Sequence, residues 1–346
     1  MAPGRSYPGA YWKRHEMTKS SHAILRLLPI IARPEILSAM LLVVVVALFQ
    51  ILSGGILLGA YNVSNLLTVL PEVGLVVIGV AILMIAGEFD LSVGSVFAFA
   101  PMVTFALVEQ GWPISVTLPL ALLSTLVIGF INGYVTLHYR LPSFIATLGM
   151  LFVIRSLTVA LSGGFPPSFA DDAPTWIFSG AIGPVKVSMI WFFAILALAI
   201  VFLRSTSYGA WLYACGGQQE VAKSVGINTF RVKIGAFMAC SFLAGLAGLI
   251  QVFRLRSPLP SLGEGLELQV IAAAVVGGVA LTGGIGTVVG AVLGLVLLKV
   301  IENGLILSGV DANWFKFAAG FIMVFAVIMH SAIGLRMKRL FEDDDQ

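Results

Sequence analysis

Residues 74–96 read GLVVIGVAILMIAGEFDLSVGSV. An unbroken apolar run ends at a glycine, and two acids, Glu88 and Asp90, follow within a short polar stretch. A second run of small and apolar residues then begins at Val93. Backbone that leaves a helix within a membrane must be satisfied by protein or by a water-filled cavity. The stretch therefore reads either as a cavity-lining break in a membrane helix or as a short turn at the membrane surface. Chain-wide composition supports a membrane setting. Of the 346 residues 59% are hydrophobic and 11% charged, with a mean hydropathy of +1.01, whereas a soluble globule is about 25% charged. Twenty Lys and Arg with 17 Asp and Glu cannot cover a soluble surface around so much hydrocarbon. Soluble, disordered, fibrous and disulfide-rich secreted classes are excluded. Cys215 and Cys240 make neither a disulfide framework nor a metal-ligand spacing.

A spanning helix needs about 20 mostly apolar residues, and about ten stretches meet that description. They are 36–58, 66–86, 91–108, 114–137, 142–161, 188–203, 232–250, 268–282, 286–303 and 314–331. The 91–108 and 268–282 stretches are short, and the latter reads as tilted or broken. The expected fold is an all-α polytopic membrane protein with broken helices. Basic residues orient it. With both termini cytoplasmic, Arg5, Lys13, Arg14, Lys19, Arg26 and Arg33 lie inside, as do Arg140, the bases of 204–233, and Arg336, Lys338 and Arg339. Only Lys186, Arg254 and Arg256 fall outside. The expected organisation is a basic cytoplasmic segment over 1–34, a transmembrane domain over 35–331 and a cytoplasmic tail over 332–346. Residues 24–31 read as a surface-lying amphipathic patch or as an orientation signal.

The stretch LQVIAAAVVGGVALTGGIGTVVG at 268–290 repeats the design of 74–96: apolar run, glycine-rich break, small-residue helix. The spacing suits the two halves of a duplicated transporter core, an internal two-fold repeat. Asp90, Ser92 and Thr282 are candidate caps for the following helices. No base neighbours Glu88 and Asp90 in the chain, which favours the cavity-lining reading of the first break.

Charged side chains within spans are functional candidates by default. Glu72 and Arg155 read either as a polar path or solute contact, or as a structural interhelical pair. Lys299 and Glu302, three apart, are expected to pair with each other. Asn62 and Asn65 are candidate caps. Asn132, between Gly129 and Gly133, bonds across helices or faces a solute. His15, His22, His138 and His330 lack ligand spacing, and no P-loop, nucleophile elbow or metal motif occurs. A catalytic role, a cofactor, a metal and nucleic acid are therefore not indicated.

The segment RSTSYGAWLYACGGQQEVAKSVGINTFRVK at 204–233 is too polar to span and too structured for a linker. Gly216 and Gly217 permit a turn. Residues 219–225 suit a short helix that Gly226 ends, and Asn228 or Thr229 caps the next span. It reads as a rigid docking element for a motor or as an unpartnered surface helix.

At these residues the chain resembles the permease subunits of bacterial ATP-binding-cassette importers for simple sugars, of the ribose, xylose and galactose type. The resemblance rests on AGEFDLSVGSVFAFAPMV at 86–103, SYGAWLYACGGQQEVAKSVGI at 207–227, and ELQVIAAAVVGGVALTGGIGTVVGAVLGLVLLKVIENGLIL at 267–307. With the span count it covers about 36–335. Departures are Glu88 and Phe89 where glycine and isoleucine are common, Ala280 for serine, and Val221 and Lys223 for alanine and arginine. The resemblance implies a multi-pass protein of the bacterial inner membrane, paired as a dimer with a second permease copy. An ATPase pair that uses ATP-Mg docks on a coupling segment, here Gly217, Gln218, Gln219, Glu220, Lys223 and Gly226. A periplasmic sugar-binding protein docks on outer loops, including 162–187 and 251–267. Asp90 and Ser92 fall near the translocation path, for which Glu72, Glu88, Asn132, Arg155 and Thr282 are further candidates. Remaining alternatives are the same machinery for a nucleoside, polyol or small signalling molecule, or an ion-coupled secondary transporter using Glu72, Glu88 or Asp90.

Overall fold

A computed structural model describes residues 34–163, 176–183 and 185–311, with positions 314, 317, 320, 321 and 324. The expected surface helix at 24–31, most of the 162–187 loop and the acidic tail lie outside the described residues. Of the tenth expected span only those last five positions are described, and all five are helical.

In chain order the helices are α1 (Pro34–Leu52), α2 (Ala60–Ile85), α3 (Val93–Glu109), α4 (Ile114–His138), α5 (Ser143–Ser162) and α6 (Trp176–Ser179). After the two-residue strands β1 (Ala181–Ile182) and β2 (Val185–Lys186), an antiparallel hairpin, come α7 (Val187–Ser205), α8 (Ser207–Gly217), α9 (Gln219–Ser224), α10 (Thr229–Leu255), α11 (Leu266–Val276) and α12 (Val288–Leu307). Among the described residues seven helices are long and apolar enough to cross a membrane: α1, α2, α4, α5, α7, α10 and α12. The shorter apolar helices α3 and α11 occupy the two stretches that read as short.

Several boundaries differ from the sequence reading, two of them around the first connection. The first span stops at Leu52, because Gln50 closes a turn by donating to the Gly55 carbonyl and accepting from the Leu58 N–H. The second begins at Ala60, six positions early, with Gly59 in the cap position and no side-chain cap bond. Asn62 therefore lies inside α2. It donates to the Leu57 carbonyl and accepts from Asn303 of α12.

Both helices that enter a glycine break end in the same way. After Ile85, Ala86 stays helical and Gly87 turns left-handed at φ +82; after Val276, Gly277 and Gly278 do the same, at φ +91 for Gly278. The Gly87 and Glu88 N–H groups donate to Met84 and Leu83, and those of Gly278 and Val279 donate to Val275 and Ala274. This is the Schellman arrangement, whose left-handed position favours glycine.

At its centre α10 packs against α2, α3 and α4. Membrane helices gain little hydrophobic energy from leaving lipid for one another, so association relies on close packing through small residues. Gly79 of α2 meets the Cys240 backbone, Gly129 of α4 meets Phe237 and Met238, and Gly248 of α10 meets the Phe97 carbonyl. Phe97, Phe192, Phe237 and Phe253 fill the interior. The outer faces of α1, α4, α5 and α7 carry exposed Val43, Leu123, Phe152 and Leu198, a surface suited to lipid or to another membrane protein. One end of the bundle holds α8, α9 and the starts of α1, α10 and α12. The other holds α6 and the hairpin.

The close approach at Gly248 makes a prediction. A methyl there would overlap the Phe97 carbonyl, whereas one at Gly245 meets mainly the Thr125 side chain. Overpacking costs about 1–3 kcal/mol. Gly248→Ala should lower the detergent-unfolding midpoint more than Gly245→Ala; equal midpoints would contradict this α3–α10 crossing.

Candidate functional site

The first break, 86–92, threads past three helices, of which α5 satisfies its backbone and α4 and α10 hold its side chains. Ser143 and Thr147 of α5 accept from the Phe89 and Leu91 N–H groups at 3.1 and 3.0 Å. Asp90 Oδ1 accepts from the Ser92 N–H at 2.8 Å and from its hydroxyl at 2.6 Å. Asn132 Nδ2 of α4 donates to Asp90 Oδ2 at 3.1 Å and to Ser92 Oγ at 2.8 Å, and Ser241 of α10 stands 3.5 Å from the same carboxylate. Asp90, Ser92, Asn132 and Ser241 are wholly buried. The cluster thus holds the break's geometry and touches no open cavity. Asn132 Oδ1 and Thr136 Oγ1 remain unpaired. Ser92 occupies the cap position of α3 without making a cap bond, so the restraint is Asp90's.

A Glu72–Arg155 pair, one of the two readings of these charges, does not form. Buried Glu72 receives Arg254 of α10 through Nε and Nη2, the latter at 3.0 Å, and Gln251 at 3.0 Å. The two helices run antiparallel, so the base comes from the far end of α10. A cavity of about 40 Å³ adjoins this pair, lined among others by Thr68, Ser179, Lys186 and Ser188. Arg155 instead donates to the carbonyls of Pro260 at 2.6 Å, Leu262 at 2.7 Å and Gly94 at 3.2 Å. It ties irregular segment 256–265 to the first turn of α3 from midway along α5. The interruption in the second half thus falls before α11 as well as after it. Lys299 and Glu302 pair as expected, at 2.8 Å.

Glu88 does have a base. Lys233 of α10 donates to Glu88 Oε1 at 2.7 Å and to Gln219 Oε1 at 2.8 Å. Chain neighbours gave no sign of it, because the partner lies 145 residues away.

The two breaks and the coupling segment meet at one junction. The Gly284 N–H donates to the Ile85 carbonyl at 2.9 Å. Gly216 packs on that carbonyl, and a methyl there would overlap it. Methyls at Gly283 and Gly284 would reach within 2.6 Å of Gly87 and 2.5 Å of Gly217. Gly216 and Gly217 are therefore the last turn of α8, Gly216 kept small for backbone contact, and the turn falls at Gln218. Tyr213 donates to the Gly286 carbonyl at 2.9 Å and Tyr208 to the Val232 carbonyl at 3.0 Å. Burial raises both phenol pKa values, keeping them donors. Thr282 is exposed; Thr287 caps α12 by accepting from Gly290 and also donates to Glu35.

Helix α9 behaves as expected. It ends at Ser224, Gly226 turns at φ +86, and Asn228 caps α10 by accepting from Arg231. Glu220 and Lys223 pair at 2.8 Å on its open face, where the Glu220 side chain is 85% exposed, and Val221 and Val225 are exposed beside them.

Residues 62–327 match the family described as branched-chain amino acid transport system / permease component. The chain belongs to that permease family. It is 32% identical over 299 residues to the ribose import permease protein of Escherichia coli strain K12, covering 84% of this chain and 92% of that one. It is equally identical over 297 residues to the xylose/arabinose import permease protein of Sulfolobus acidocaldarius, 83% and 82% of the two chains. An autoinducer 2 import system permease protein of Photorhabdus luminescens shares 32% over 273 residues, 77% and 80%. No solved structure matches.

Sequence reasoning about this permease missed Lys233, Ser241, Gln251, Arg254 and Thr287 as partners. Lys233 carried a signal: it starts an apolar span with no acid three or four residues away, so its charge needed a partner elsewhere.

Arg155 supplies the site's sharpest test. Arg155→Met leaves three carbonyls without their donor, at about 1–3 kcal/mol each where they stay dry. We expect a lower unfolding midpoint and faster labelling of a cysteine placed at Leu262, with Arg155→Lys intermediate. Unchanged labelling in Arg155→Met would contradict the pinning role.

Proposed function

We propose that this permease forms the translocation path for a simple sugar in an ATP-driven importer of the bacterial inner membrane. Two copies pair in the membrane. A separate ATPase pair, which alone uses ATP-Mg, docks on 204–233, and a periplasmic binding protein delivers the sugar to the hairpin end. In this reading both termini and the α8–α9 end face the cytoplasm, residues 314–331 supply a tenth span, and the matched helix ends at Ala86–Gly87 and Gly277–Gly278 mark a duplicated core. The permease breaks no bond of its own; it alternates between two cavities that its partners bias.

The observation that carries the proposal is the α8–α9 unit. Its inner side bonds to the second glycine break through Tyr213 and packs on the first through Gly216, and its outer side leaves Val221 and Val225 open to a partner. A force applied there reaches the interrupted helices through backbone contacts. Glu72, Glu88, Asp90, Ser92, Asn132 and Arg155 then serve the path by holding and releasing the irregular segments, since their bonds go to the protein itself. Exposed Thr282 is the member of that set open to a departing solute. Uncharged sugars need hydrogen-bonding groups and no strong ionic site, in keeping with these internally paired charges. Ion coupling is disfavoured because Glu72, Glu88 and Asp90 all have partners.

The relatives include one named for autoinducer 2 and the family description names branched-chain amino acids, so the solute class is decided on the binding partner. Competition among ribose, xylose, galactose, leucine and a furanosyl signalling molecule should favour a monosaccharide; preference for leucine would overturn the sugar assignment. Val221→Asp combined with Val225→Asp should cut recovery of the ATPase with the inserted permease by about tenfold, the equivalent of 1.4 kcal/mol. Wild-type recovery would remove α9 from the docking surface.

A further inference from the structure

Lys233 is buried, with its side chain 5% exposed, and it faces Glu88, 12% exposed. A cation so placed is held only by partners that neutralise it and fill its donor positions. Both partners are on moving parts in the proposed cycle. Glu88 belongs to the first break, next to the Schellman turn of α2 and two residues before Asp90. Gln219 is the first residue of α9, on the side opposite the exposed valines. Lys233 itself stands in the second turn of α10, the helix against which α2, α3 and α4 pack. One ammonium group therefore joins the docking helix, the first break and the central helix within 2.8 Å.

The glycine junction makes a second, independent link between the same parts, but of a different kind. It transmits push and close packing. The Lys233 link transmits pull, because a charge-assisted bond resists separation. A docking helix drawn away from the bundle would pull on Lys233 through Gln219, and on Glu88 through Lys233.

We propose that Lys233 is the positioning residue that couples movement of the α9 docking helix to the first break, through its simultaneous bonds to Gln219 and Glu88. The proposal rests on the ATP-driven reading given above. Three consequences distinguish it from mere support of the fold. Neutralising Lys233 should uncouple hydrolysis from transport. Exchanging the charges should restore coupling, since the ion pair is remade and the Gln219 amide can turn to donate to the carboxylate that replaces the ammonium. Removing only the Gln219 contact should uncouple while leaving the buried ion pair intact.

The test uses the whole complex, permease with its ATPase and binding protein, in proteoliposomes supplied with radiolabelled ribose, xylose and galactose. The readout is sugar moved per ATP hydrolysed. Lys233→Gln should lower that ratio about tenfold, within the usual span of coupling between sites. The exchange Glu88→Lys with Lys233→Glu should recover most of it. Gln219→Ala, whose side chain lies at the bundle surface, provides the measurement should Lys233→Gln fail to insert, and it too should lower the ratio. A wild-type ratio in inserted Lys233→Gln or in Gln219→Ala overturns the proposal, as does an exchange that inserts and stays uncoupled. Should the wild-type complex itself move all three sugars without consuming ATP, the ATP-driven reading falls and this proposal falls with it.

Discussion

The approach of backbone to backbone where Gly87, Gly216, Gly283 and Gly284 meet governs the rest of this molecule. Here the Ile85 carbonyl accepts from the Gly284 N–H and lies against the last turn of α8. Side chains at these positions would hold the three segments apart. Without them, a helix end, a break and a surface helix share one small volume, and each satisfies backbone that another leaves open. The surface helices are thereby firm enough to bear a load, which a flexible loop would dissipate.

The same constraint explains the polar residues of the interior. Irregular backbone inside a bundle needs donors and acceptors that water cannot supply. Ser143, Thr147 and Asp90 provide them for the first break, with Asn132 holding Asp90, and Arg155 provides them for 256–265. These side chains look like a solute path in the sequence because they are polar, closely grouped and within spans. In the structure their bonds go chiefly to backbone and to each other. The ionic pairs follow the same logic across helices: Glu72 with Arg254, and Glu88 with Lys233.

Much of this architecture was legible beforehand. Apolar run length located the long helices, and the glycine-rich stretches marked both breaks. Gly226 and Asn228 announced the ends around the coupling helix, and spacing alone gave the Lys299–Glu302 pair. What escaped was whatever depends on which helices are neighbours. A Glu72–Arg155 pair was one reading because both lie within spans, yet antiparallel packing of α2 on α10 brings Arg254 instead. Glu88 seemed to lack a base because its lysine is distant in the chain. Gly216 was read as a turn former, since a glycine required for a close approach looks the same in a sequence as one required for a bend. Thr282 was read as a candidate cap and Thr287 was not, because the length of the second break was not fixed by its residue types.

The central claim is that the docking helix and the glycine breaks move as one body. Spin labels on Val221 and Leu281, both exposed, report the distance between them in the assembled complex with and without bound nucleotide. The account predicts a distance that stays constant to within about 2 Å, the size of ordinary local helix shifts. A change of about 5 Å, a full helical turn, would mean that the docking helix slides over the junction, and would contradict the claim.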